Sequence, residues 1–222
     1  MFLPMKSTSL SDWKRAIYID FEGRVNDPES LLGVACEGQW IVYILEPLLW
    51  SAATHGHNKG QVVAITKIEA LRLIRNRAET ESRVIAAWSH REQDAILQTP
   101  EITAEERSWW LTNLIDAKRP AKKMARASGI HIEGRKSTRS GGVNKNSLAS
   151  YMHATGYRVP RIHGPNNSAQ RILYVRNQII SKGSFENITS TAKRKWTNGL
   201  SHNLHDCIGL AHVMTFLASK ST

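Results

Sequence analysis

Paired acids are the first feature of this chain with chemical consequences. Asp20 and Glu22 stand two apart in the segment RAIYIDFEG. On an extended backbone, alternate side chains leave the same face, so both carboxylates point one way, on the face that Tyr18 shares. Carboxylates so placed repel each other unless a cation lies between them, and oxygen ligation of this kind suits Mg²⁺ or Mn²⁺. The alternative is a solvated strand end. Toward the other terminus His202 and Asp206 are spaced i, i+4, beside a helical apolar stripe of Leu200, Leu204, Cys207, Ala211 and Met214. Asp206 is the only carboxylate after Glu186, and Gly209 leaves room for a backbone or a substrate to approach. A third candidate is Glu92. Ser89 to Glu92 also fits the SxxE capping box, in which the Glu side chain bonds the N-cap amide, and Asp94 is the alternative acid. Spacing does not choose between them.

The elements carrying these residues follow from periodicity. Residues 15–23 alternate Ile17 and Ile19 with Tyr18 and Asp20 and stop at a glycine, as a strand does. LLGVACEG and WIVYIL extend it into a three-strand meander that Pro47 ends. Helical spacing over 67–82 precedes a fourth strand, RVIAAW, and Ser89 opens a helix through HREQDAIL. A helix is predicted over 104–117, where Trp109 and Trp110 form a core-and-rim pair. Residues 118–145 hold nine basic residues against one acid, with several Gly and Ser, and read as a mobile basic insertion. Helices follow over 146–155, 168–180 and 200–218. The order suits one α/β domain over residues 1–222, a central mixed sheet flanked by helices.

At 222 residues, 41% hydrophobic and 22% charged, the chain can bury a sizeable core, which excludes disorder throughout. Its longest apolar stretch, WIVYILEPLLW, contains Glu and Pro and falls short of the roughly 20 residues that cross a bilayer, so no membrane partner is expected. Cys36 and Cys207 make no disulfide framework, and a cytoplasmic protein with reduced thiols is expected. The net charge of +11 is uneven. Residues 1–117 carry 12 Lys and Arg against 16 acids, whereas residues 118–222 carry 18 against three. That division suggests a cation site beside a surface for polyanions.

Taken in order, YIDFEG, AAWSHREQDAIL and SHNLHDCIGLAHVM resemble the DEDD superfamily of 3′ to 5′ exonucleases, on a ribonuclease H-like fold. The nearest branch has a DxE first motif and a last helix of the form YNxxDC, and KNSLASYMHATGYRVP resembles a further segment of that family. The resemblance leaves residues 50–80 and 118–145 uncovered. It implies that Asp20, Glu22, Glu92 and Asp206 hold two Mg²⁺ or Mn²⁺ ions for phosphodiester hydrolysis. His202 stands four residues before Asp206, where the family places Tyr; members with His place it five before. As a neighbour of the metals His202 would orient or deprotonate the attacking water. Lys118, Arg119, Lys122, Lys123, Arg126, Arg135, Lys136 and Arg139 would hold single-stranded DNA or RNA by its phosphates. The alternatives are a non-catalytic nucleic-acid-binding module on the same fold and a resolvase-like endonuclease.

Overall fold

The computed structural model describes residues 8–23, 27–136, 143–163 and 168–221. A short helix, α1 (Leu10–Arg15), leads into β1 (Ile17–Glu22), β2 (Leu31–Cys36) and β3 (Gln39–Ile44), an antiparallel meander that sets Asp20 opposite Gly33. Glu37 and Gly38, both at positive φ (51° and 78°), make the tight β2–β3 turn. A 3₁₀ helix over Pro47–Thr54 carries the chain to β4 (Gln61–Ala64), parallel to β3. Then follow α2 (Lys67–Thr80), β5 (Ile85–Ala87), α3 (His90–Leu97), α4 (Ala104–Asn113), β6 (Leu114–Asp116) and α5 (Lys118–Ala127). Two-residue strands β7 (Arg135–Lys136) and β8 (Val143–Asn144) pair with each other, and α6 (Leu148–Ala154), α7 (Ser168–Lys182) and α8 (Ser190–Lys220) complete the chain.

The result is an α/β architecture around a six-stranded mixed sheet of order β4-β3-β2-β1-β5-β6, with β1, β5 and β6 mutually parallel. Strand alternation divides the core between the two faces. Ile17, Ile19 and Phe21 pack with Leu71, Ile74, Ile96 and Trp110 of α2, α3 and α4. Tyr18 and its neighbours Ala35, Trp40 and Val42 pack instead with Leu200, Leu204, Cys207 and Met214 of α8. Asp20 and Glu22 follow Tyr18 and therefore face α8, as the alternation predicts.

Several elements depart from expectation. Residues 118–127 are not a mobile insertion but the helix α5. Lys, Arg and Ala are strong helix formers. The Lys118 amide donates to Asp116 Oδ1 (3.1 Å), and Ala121 and Ala125, one turn apart, are buried in the core that α8 shares. The helix predicted over 104–117 stops at Asn113, because Leu114–Asp116 pairs with β5. The last helix begins at Ser190, where Thr189 Oγ1 accepts from the Ala192 amide (3.2 Å) and Ala192 and Trp196 continue the buried stripe. Both β4 and β6 lie outside the predicted strands. Trp110 is buried, and Trp109 stacks edge-on against it beneath the Arg75 guanidinium. Among the described residues no helix is long and apolar enough to cross a membrane.

Candidate metal centre

The C-terminal end of β1 and the middle of α8 bring the candidate acids together. His202 Nε2 lies 3.5 Å from Glu22 Oε1 and 3.3 Å from Asp206 Oδ2. Its Nδ1 donates to the His163 carbonyl (2.8 Å), and since a carbonyl only accepts, Nε2 is the nitrogen left for the carboxylates. Glu22, His202 and Asp206 each offer one ligand atom within 4.8 Å of the others, a group that can hold a metal ion.

Sequence reasoning missed two side chains that hold the acids in place. Asn203 is fully buried, and its Nδ2 donates to both the carbonyl and the carboxylate of Asp20, each at 3.0 Å. This approach needs Gly33 on β2, where an added Cβ would come within 1.8 Å of Asn203 Oδ1. A glycine inside an otherwise apolar strand is the signal that could have found it. Ser168, the first residue of α7, donates its hydroxyl to Glu22 Oε2 at 2.6 Å. No periodicity in the sequence points to Ser168.

Glu92 does what the capping alternative says, its Oε2 accepting from the Ser89 amide (3.1 Å) and hydroxyl (2.7 Å). It is nonetheless buried, and its charge acts on Asp20; Asp94 is exposed. Of the two acids Glu92 is thus the one beside the cluster. At Gly209, an added Cβ would meet Met152 Sδ at 2.1 Å, so that glycine admits the side chain of α6 and neither a substrate nor a backbone.

Burial raises Asp20 well above the ordinary carboxylate range, and the charges of Glu22, Asp206 and Glu92 add to it, against the Asn203 hydrogen bond. Glu22 is pushed up to about 7 by burial, with His202 opposing and Asp206 adding. Burial also raises Asp206 and Glu92. For His202, burial opposes protonation, but Asp206 and Glu22 outweigh it and raise the imidazole. Such a cluster is short of positive charge. Its donors are carboxylate oxygens and one imidazole, which suits hard divalent cations such as Mg²⁺ and, with nitrogen included, Mn²⁺.

The rim is rich in histidine. His205 Nδ1 meets the Tyr157 hydroxyl at 2.9 Å, its ring stacks on His163, and burial, aided by nearby His163 and Lys59, lowers it to about 4. On α5, Arg119, Lys122, Lys123 and Arg126 are exposed and Lys118 is half-buried. Arg135 and Lys136 form β7, and Arg139 lies outside the described residues. Comparisons with family models, curated proteins and solved structures find no match to this chain.

Proposed function

We propose that this protein is a divalent-metal-dependent nuclease with a ribonuclease H-like fold, acting as a 3′ to 5′ exonuclease on single-stranded DNA or RNA. The observation that carries the reading is the convergence of Asp20, Glu22 and Asp206, with Glu92 behind them, as buried and half-buried acids whose one ion-pair partner among the described residues is His202. The sheet order supports it, since an antiparallel meander whose first strand has parallel neighbours on its other side sets the acids at the C-terminal end of a central strand.

On this reading Asp20, Glu22, Glu92 and Asp206 would hold two Mg²⁺ or Mn²⁺ ions, which when bound would supply charge stabilisation for the phosphodiester under attack. Asn203 fixes the Asp20 carboxylate and Ser168 fixes that of Glu22. His202, oriented through its Nδ1 by the His163 carbonyl, takes the proton of the attacking water at Nε2. The exposed cations of α5 attract the strand through its phosphates, without reading bases.

One observation favours a second reading. His202 Nε2 already bridges Glu22 and Asp206, so an imidazolium can serve as their counter-ion in a non-catalytic binding module. Digestion of 5′-labelled single-stranded DNA and RNA with Mg²⁺, Mn²⁺ or EDTA, beside Asp20→Asn, separates the two. Metal-dependent shortening lost in the variant is expected, and strand binding without shortening under any metal would overturn the nuclease.

A further inference from the structure

A cavity of about 310 Å³ lies outside the acidic centre, lined by His90, Asp116, Lys118, Arg119, Lys122 and Asn146. Its one carboxylate is already engaged. Asp116 Oδ1 accepts from the Lys118 amide (3.1 Å), while Oδ2 lies 3.4 Å from both Arg119 Nε and His90 Nε2. Arg119 Nη2 also meets His90 Nε2 at 3.1 Å, so the guanidinium is held from two sides. Lys118 and Lys122 have no ion-pair partner among the described residues. Three permanent cations around one carboxylate leave the cavity positive, and a held guanidinium beside free ammonium groups is the chemistry that binds a phosphate.

The cavity's position relates it to the acids. Its residues other than Asn146 lie at or just after the C-terminal ends of β5 and β6, which run parallel to β1, whose own C-terminal end carries Asp20 and Glu22. Two strand spacings amount to about 10 Å along one edge of the sheet. The chain bridges that interval, because His90 adjoins Ser89, whose cap is Glu92, and Arg91 donates to the Gly23 carbonyl (3.3 Å) beside Glu22. A separation of this size is too long for the oxygens of the phosphate under attack and suits another phosphate of the same strand.

We infer that this cavity is a second phosphate subsite, which takes a backbone phosphate of the bound strand a few nucleotides from the one held at the acidic centre. The inference rests on the nuclease reading for its substrate class. It implies that affinity steps up once a strand is long enough to reach from one site to the other.

The test uses fluorescence anisotropy with labelled oligothymidylates and oligouridylates of increasing length, Mg²⁺ present, on an Asp20→Asn background that prevents cleavage. Affinity should rise in a step with length. Lys118→Gln and Lys122→Gln should each reduce that step about three- to fivefold. Each should also lower the salt slope for long strands by about 0.7, the share of one single-strand phosphate contact. Lys123→Gln makes the same charge change on the same helix outside the cavity and should shift all lengths together. A step insensitive to Lys118 and Lys122, or no step while the wild type digests strands, overturns the subsite and spares the nuclease. A step lost in both variants, with no hydrolysis by the wild type, does the reverse. Inorganic phosphate alone raising the wild-type melting temperature through Lys122, with no length step, would make the cavity a site for free phosphate and overturn the strand proposal.

Discussion

Two sets of carboxylates in this molecule have opposite fates. On the α2–α4 side four acids each have an arginine: Arg72 Nε lies 2.7 Å from Glu106, Arg75 lies 3.2 Å from Glu79 and 2.9 Å from Glu105, and Arg77 lies 3.0 Å from Glu81. Arg83 pairs with both Glu37 and Glu81. There Glu37, Glu81 and Glu106 move down, and Arg72 and the Thr103 amide hold Glu106 at about 2. On the α8 side the same residue types move up, Glu22 to about 7. The contrast separates two uses of charge. Where acids serve the fold, arginines pair with them; where acids converge with only an imidazole as ion-pair partner, the folded state bears a repulsion that a bound ion would relieve.

The largest effect that would sharpen this contrast is on turnover. Asp20→Asn should lower strand hydrolysis by about 10⁴, several kcal/mol of lost charge stabilisation, while raising the metal-free melting temperature because one repelling charge is gone. A metal-free protein destabilised by this change would contradict the repulsion. Next comes His202→Ala, expected to reduce turnover by about 10² to 10³ across pH 6 to 9 and to leave most of the metal-induced stabilisation. Near wild-type turnover would make His202 only a counter-ion.

Divalent binding itself can be read by calorimetry. Mn²⁺ at a hundredfold excess over its Kd should stabilise the wild type by about 2.7 kcal/mol, a shift of roughly 5–10 °C, most of which Asp20→Asn should remove. The two sets should also respond to pH with opposite sign. Glu22 rises from 4.5 unfolded to about 7 folded, so the folded state holds the extra proton between those values. Metal-free protein should therefore lose stability as pH rises through that window, and Glu22→Gln should flatten the loss in urea melts with EDTA. Glu106 falls from 4.5 to about 2, so its contribution is complete above 4.5 and lost as pH falls toward 2. The smallest change is Glu106→Gln, expected to cost about 0.5 kcal/mol, because the lost pair has a half-exposed arginine and the Gln amide oxygen can still accept from the Thr103 amide, with no effect on metal affinity.

Legibility in the sequence follows from the range of the interaction. The Asp20 and Glu22 face, the cap at Ser89 and the His202–Asp206 pair are set by neighbours within four residues, and each is readable from spacing. β4 and β6 are short strands stabilised only by partners far along the chain, and they leave little periodicity to detect. In α5 the density of Lys and Arg hid a helix whose Ala121 and Ala125 make its buried contact. Ser168 and the His163 carbonyl act on β1 and α8 across the fold, so only the assembled structure reveals them. Asn203 stands in the HNLHDC segment, yet its role depends on an absent side chain at Gly33.

The clasp of Asn203 on Asp20 joins residues 183 positions apart. No short fragment of the chain contains both halves of the centre, and in the unfolded ensemble the closure of so long a loop makes their encounter rare. Metal affinity is therefore a property of the completed tertiary fold and of no helix or strand alone. A ribosome-bound chain that has not yet released α8 carries Asp20 and Glu22 without His202, Asn203 or Asp206 beside them, so the centre is assembled only when α8 docks on the sheet.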